Sequence, residues 1–304
     1  MIYMKRILFF GVFFLTLNLS GQNLTKKVGE IEVQLIRHNY IKNSDYELTN
    51  KKSNRRNRPY LKLYFNSNGI LLKSISFGKH HNTDLRLVDK INFFNYQEGK
   101  LIESIQYESD YEKNIYPFWK VNYDYNLKEQ LIKEATYYYD TDSLFSKIDY
   151  EYDINLNKSK TIFQLSHYYE REFDSLNRMI SLKQIFDNKL RWNWNYSYSK
   201  NERIGVFQTF YNDDINYSKR EIQIFNNQDL LIEREEIHVI KNGIDSKTKI
   251  YYDKNWVIKK IEFYEKFSSE EVYKMISYFE IKIKNKSKID FHIAKNINDQ
   301  INVD

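Results

Sequence analysis

Cysteine is absent from this chain of 304 residues, proline occurs twice and glycine eight times. Without cysteine there is no disulfide framework and no N-terminal Cys for a lipid anchor. Long apolar runs are lacking beyond the first twenty residues, so no later segment approaches the ~20 apolar residues of a helical membrane span. Charge of one sign is lacking too: 47 Lys and Arg face 41 Asp and Glu. A balance this mild favours solubility and makes no case for nucleic acid as a partner. No nucleophile elbow, phosphate-binding glycine loop or dinucleotide fingerprint occurs, so no cofactor is expected and the chain leans away from catalysis.

Met1 to Met4, then Lys5-Arg6, precede an apolar run from Ile7 to Leu19 and the small pair Ser20-Gly21. A charged start, a 13-residue apolar stretch and small residues at a cut describe a signal peptide over 1–21, too short for a span. Leu19, where a smaller residue is preferred, leaves an uncleaved anchor as the alternative. Export to the periplasm, the outer-membrane surface or the medium is expected, with no transmembrane span after cleavage. Removing Lys5 and Arg6 leaves 45 basic against 41 acidic residues, a net charge of +4. One local excess remains, Lys51, Lys52, Arg55, Arg56 and Arg58 just before Pro59. Charge runs of this kind are usually solvated loops, and contact with a polyanion is the functional alternative.

What the chain has in quantity is aromatic residues, 27 Tyr and 20 Phe, which suit the pleated, half-buried surface of a sheet. They recur in a heptad: aromatic, Asp/Asn/Ser, two free places, a turn residue, one free place, then Leu/Ile/Met. Six good copies begin at Phe65, Tyr125, Phe173, Tyr198, Phe225 and Tyr252, and two degraded ones at Phe94 and Tyr152. Asp or Asn in second place can bond its own backbone two residues on, and Gly or Asn in fifth place tolerates a left-handed backbone, so each copy is a hairpin turn. The flanks alternate as strands do: Trp192, Trp194, Tyr196 and Tyr198 oppose Arg191, Asn193, Asn195 and Ser197. Before Phe225 the parity breaks, with Ile222 and Ile224 on the opposite face, which predicts a bulge. The fold class is therefore all-β: consecutive antiparallel β-hairpins in an extended, twisted repeat sheet, open or partly closed.

The copy Phe173-Asp174-Ser175-Leu176-Asn177-Arg178-Met179 resembles the YD-repeat (Rhs-type) pattern of Tyr-Asp, two residues, Gly-Arg-Leu, and Arg203 falls at the same Arg place. The resemblance covers roughly residues 60–265. Gly stands at the turn place in only the first clean copy and Arg in only two. Long arrays in that family coil into a shell around a toxic cargo; about eight copies and no recognisable toxin domain argue against encapsulation here. MORN-like hairpin repeats compete, but their glycines are missing. The Gly21-Gln22-Asn23 junction and the Asn/Lys/Ile/Tyr-rich composition resemble exported proteins of Bacteroidetes-type bacteria.

The ends differ from the middle. Ile31, Val33 and Leu35 alternate with Glu30, Glu32 and Gln34, a capping strand within an N-terminal region 22–59. The repeat domain follows over 60–290. Ser268 to Glu271, followed by Val272, Met275, Ile276 and Phe279, predicts one short helix near the C-terminus, with a strand through Tyr273, Met275 and Phe279 as the competing reading and a further strand at Glu280 to Lys284. Residues 291–304 read as a tail, frayed from Asn296.

Candidate chemistry is sparse. His80-His81 with Asp84 reads as a solvated hairpin tip rather than a metal site, because no second ligand motif supports it. Asp140-Thr141-Asp142-Ser143 lacks the Gly and distal Glu of a calcium loop and reads as a turn. Catalytic residues are not identifiable. Trp119, Trp192, Trp194 and Trp256 are the candidate ligand or partner surface, able to stack on sugar rings or anchor a protein, although aromatics in alternating strands are most often cross-strand packing. The expected function is an exported, non-catalytic repeat scaffold that binds a protein or glycan. A secreted carbohydrate-active enzyme and an immunity or structural partner of an Rhs-like system are the alternatives; the enzyme would show two carboxylates of raised pKa in a deep pocket.

Overall fold

Alternating aromatic segments joined by short turns fold into nineteen antiparallel strands and one helix in a computed structural model. It describes residues 30–42, 48–52, 59–79, 86–110, 114–164, 166–211, 214–238, 244–267, 272–284 and 289–301. The strands are β1 (Ile31–Lys42), β2 (Leu48–Lys52), β3 (Leu61–Phe65), β4 (Leu71–Lys79), β5 (Arg86–Gln97), β6 (Lys100–Ser109), β7 (Ile115–Tyr125), β8 (Leu131–Tyr138), β9 (Leu144–Tyr152) and β10 (Lys158–Gln164). Next come β11 (His167–Phe173), β12 (Met179–Phe186), β13 (Lys189–Tyr198), β14 (Glu202–Tyr211), β15 (Asp214–Phe225), β16 (Leu231–His238), β17 (Ile244–Tyr252), β18 (Ile258–Phe267) and β19 (Lys274–Lys284), then helix α1 (Phe291–Gln300).

Six turns have one geometry. In the copy that starts at Phe173, Asp174 Oδ1 accepts from the N–H groups of Leu176 and Arg178, each at 2.9 Å. The Asn177 N–H donates to the Asp174 carbonyl, and the Asp174 N–H to the Arg178 carbonyl. The fifth residue is left-handed throughout: Gly69, Glu129, Leu156, Asn177, Asp229 and Trp256 have φ between 57° and 75°. This is a type I turn closed by a bulge, and the first aromatic pairs with the seventh residue, as in Phe65 with Leu71 and Tyr252 with Ile258. The irregularity expected at Phe225 is present between Ile224 and Phe225 and recurs in the other five.

Two copies rank differently in sequence and structure. Tyr152, a degraded match, adopts the full geometry because Asp153 supplies the oxygen. Tyr198, a good match, closes more tightly, with Tyr198 opposite Arg203 and no left-handed residue, because Ser199 stands where Asp or Asn is needed. Tyrosines in first place tie neighbouring hairpins together. The hydroxyls of Tyr125, Tyr152, Tyr198 and Tyr252 donate to the carbonyls of Leu101, Leu131, Met179 and Leu231, the seventh place of the preceding copy, at 2.6–3.0 Å.

The sheet is a closed barrel, where the sequence reading left it open or partly closed. β1 lies between β3 and β19, Leu35 facing Leu61 on one side and Ile281 on the other, so β1 and β3 to β19 form an eighteen-membered ring. The expected capping strand is thus the closing strand, and β2 pairs with the far part of β1. The short C-terminal helix is present, but at Phe291–Gln300; the described residues of the segment read as helix are Val272 onward, and most lie in β19. Asp290 caps α1 through its Oδ1, which accepts from the Ile293 N–H at 2.9 Å. The stripe Ile289, Ile293, Ala294, Ile297 and Ile301 packs on Val33, Leu63, Phe65, Val257, Ile258 and Ile261 to form the main core. Asn298 bonds the Trp256 carbonyl and the Ile258 N–H, which fastens the helix to one rim turn. Of the residues expected to fray, those from Asn296 to Gln300 belong to this helix.

Two substitutions test the turn geometry by denaturant titration. Leu156→Gly relieves a left-handed backbone at an exposed position and is expected to raise stability by about 1 kcal/mol. Gly69→Ala is expected to lower it by a similar amount, since φ is +75° and the new methyl would lie 3.2 Å from Ile293.

Candidate functional site

Directly opposed residues on antiparallel strands share a face, so the pairings assign every side chain to one side of the wall. Trp194, Phe207, Lys219 and His238 lie across β13 to β16 in one such row, with Tyr196, Gly205, Glu221 and Glu236 in the next. This is the face that α1 covers at the seam, and we call it the inner one; Glu221, Arg234, Lys219 and Glu236 on it are 6–21% exposed, while charged groups on the opposite face range from 0% at Lys73 and 4% at Glu32, through 22–24% at Glu235 and Glu233, to 56% at Glu172.

The inner wall carries a row of paired charges. Arg234 contacts Glu221 at 2.6 Å and Glu236 at 2.9 Å, and Lys219 reaches the other oxygen of Glu236 at 2.8 Å. Gln223 donates to Glu221 at 2.6 Å, and the Tyr217 hydroxyl meets His238 Nδ1 at 2.5 Å. Burial pushes the Glu236 carboxyl up, but the Lys219 hydrogen bond and the charges of Lys219 and Arg234 outweigh it and hold the pKa below the ordinary value. Carboxylates displaced elsewhere, Glu32, Asp153, Asp174 and Glu262, also go down.

Beside these charges runs an aromatic belt. Tyr169, Trp192, Phe207 and Trp194 follow one another at 5.4, 5.8 and 5.0 Å between ring centres. Trp194 and Tyr196 are parallel to within 6° at 5.7 Å. Gly205 makes that arrangement possible, since a Cβ there would lie 2.9 Å from the Trp194 ring and 3.0 Å from the Tyr196 ring. Burial raises the Tyr196 pKa to about 12, with Arg203 opposing and Glu221 adding to the shift.

Of the sequence-predicted surface, only Trp192 and Trp194 come together. Trp119 lies in β7, packed with Phe118, Tyr138 and Phe145 at 4.5–4.8 Å. Trp256 occupies the left-handed place of a rim turn beside α1. Of the basic cluster, Lys51 and Lys52 belong to β2, while Arg55, Arg56 and Arg58 lie outside the described residues, as do His80, His81 and Asp84. Asp140 to Ser143 form the expected turn, with Asp142 N–H donating to the Tyr138 carbonyl. Among the described residues no group of three or more His, Asp or Glu could hold a metal ion. Sequence reasoning missed the Lys219, Glu221, Gln223 and Arg234, Glu236, His238 rows, although both alternate at period two.

No protein-family model matches the chain, and no curated protein does. Among solved structures, a porin-like protein from Bacteroides uniformis is 8% identical, with a TM-score of 0.42 over 83% of this chain and 97% of that one. A TcdB2-TccC3 crystal structure is 12% identical, with a TM-score of 0.32 over 79% of this chain and 15% of the other.

The buried tyrosines predict alkaline unfolding. Tyr196 and Tyr252 have folded pKa values of about 12 against 10.0 for the free side chain. A raised folded pKa gives stability that is complete below pH 10 and is lost as pH climbs through the folded value. Water still reaches part of each ring and screens the effect, so each contributes on the order of 1 kcal/mol. Circular dichroism is expected to show a denaturation midpoint that is insensitive to these groups up to pH 9 and falls steeply above pH 10, with Tyr252→Phe flattening the fall.

Proposed function

We propose that the protein is an exported, water-soluble barrel of degenerate YD-type hairpins whose inner wall binds a protein segment or a glycan without chemistry of its own. The observation that carries this reading is the placement of charge on both faces. A membrane barrel needs an outward apolar band ~25 Å tall, and strand-centre charges on the lipid side are costly. Here Lys219, Glu221, Arg234 and Glu236 line one face. The opposite face holds Lys147 with Asp149, Lys183 with Glu172, Lys160 with Glu170 and Lys247 with Glu233. Among the described residues, neither face offers lipid a continuous apolar surface.

Eighteen strands enclose more than side chains alone can fill, since rings of this number leave an aqueous interior. Aromatic rings and paired charges on such a wall suit recognition. Acid catalysis of glycoside cleavage would need a carboxyl held protonated near neutral pH, and Glu236 is displaced the other way. The N-terminal charge and apolar run support export, and the recurrent Asx turns support the YD-type relationship.

Fractionation of a Gram-negative host expressing the full chain tests the reading. The expected result is release in the periplasm or medium without detergent, and retention of an envelope component by the immobilised protein that weakens in Trp194→Ala. Recovery in the cytoplasm, extraction only by detergent, or no retained component would contradict it.

A further inference from the structure

We propose that Lys158 of β10 and Arg171 of β11 form a binding site for the carboxylate of an acidic saccharide, such as a uronate unit. This rests on the reading of the barrel as a binding protein and names its ligand class.

The two side chains share one face of the sheet. Thr161 is paired with Tyr150 on one side and Tyr169 on the other, and its Oγ1 accepts from Arg171 Nη1 at 2.8 Å. Lys158 Nζ lies 3.9 Å from the centre of the Tyr150 ring. Both cations are half-buried. Burial and then the Arg171 charge hold the Lys158 pKa below its ordinary value, and burial lowers that of Arg171. Elsewhere on the wall Lys219, Arg234 and Arg178 each have a carboxylate oxygen at 2.6–2.9 Å. Among the described residues, Lys158 and Arg171 have no such ion pair; their polar contacts are the Tyr150 ring and the Thr161 hydroxyl. Keeping two like charges together and half out of water costs free energy, which a bound anion would offset.

Charge selects the ligand class. Glu134 is the carboxylate whose charge acts on Lys158, and it accepts from the Tyr150 hydroxyl instead of pairing with either cation. Two cations and one carboxylate leave a charge of +1, which a single carboxylate cancels and a phosphate dianion overshoots. With one Nη engaged by Thr161, the remainder of the Arg171 fork suits the two oxygens of a carboxylate. A saccharide fits the surroundings better than a peptide. β10 is paired with β9 and β11, and β11 with β10 and β12, so a peptide backbone finds no open strand edge there. Next to Lys158, the Asn157 amide donates to Asp153 at 3.1 Å and to Asn177 at 3.2 Å, a polar edge whose groups can donate to and accept from sugar hydroxyls.

Isothermal titration of the full-length protein with trigalacturonate, neutral galactotriose, triglutamate and inorganic phosphate tests the proposal. Trigalacturonate is expected to bind most tightly, with an affinity that falls as salt is added. Lys158→Met and Arg171→Gln should each weaken it about tenfold or more, as loss of one charge from a close pair does. Arg171→Lys, which keeps the charge and loses the fork, should fall between. Lys183→Gln, which removes a cation paired with Glu172 on the opposite face, should leave binding unchanged. Thermal denaturation without ligand separates binding from a structural role: relief of the repulsion predicts that Lys158→Met melts no lower than the parent chain. Circular dichroism checks folding, and Arg171→Lys keeps the test valid if Arg171→Gln does not fold. Absence of trigalacturonate binding, tighter binding of phosphate or triglutamate, indifference to the Lys158 and Arg171 variants, or a lowered melting point for Lys158→Met with binding intact would overturn the proposal. A neutral saccharide or a protein segment held independently of Lys158 and Arg171 would also overturn it, while leaving the binding reading intact.

Discussion

A side-chain oxygen in the second place of each heptad accepts from two backbone N–H groups at the tip of the hairpin, and the register of the wall follows from that bond. With Asp or Asn there and a left-handed residue three places on, the chain reverses with one extra residue on the returning strand. The extra residue resets the alternation. Leu71 joins Phe65 in the core, yet Lys73 lies across from Tyr64 on the other face. Without the bulge those two β4 residues would share a side. Hairpin after hairpin, inner and outer rows stay continuous, and the tyrosine hydroxyls of one copy fix their distance from the next.

Continuity of the rows is what allows closure. A sheet with two free edges exposes unpaired N–H and C=O groups and invites aggregation. The first long strand resolves this by pairing on both sides, with β3 and with β19. The apolar core concentrates near that seam, where α1 covers β1, β3, β18 and β19. Farther round, the inner face turns aromatic and charged. Apolar burial thus secures the seam, while ion pairs and ring contacts line the remainder.

Local chemistry was legible in the sequence and long-range geometry was not. The Asx turns, the face shared by Trp192, Trp194 and Tyr196, and the irregularity at Phe225 were readable because each depends on neighbours within seven residues. Closure depends on a contact between Leu35 and Ile281, which no local pattern encodes. Helix α1 had a signal that was passed over, Ile289, Ile293, Ile297 and Ile301 at every fourth place, with Asp290 as cap. The inner charge row was missed for a physical reason. Polar residues at period two normally mark the solvent side of a strand, but a ring of this number is wide enough for its inner face to be polar as well.

Closure of the ring by β1 is directly measurable, because the chain has no cysteine of its own. Gln34 and Lys282 lie opposite each other across the seam. With both replaced by cysteine, the folded protein is expected to form an intramolecular disulfide under mild oxidation, seen as a mobility shift reversed by reductant. A folded protein in which both thiols stay free, or are linked only between molecules, would contradict closure through β1 and β19.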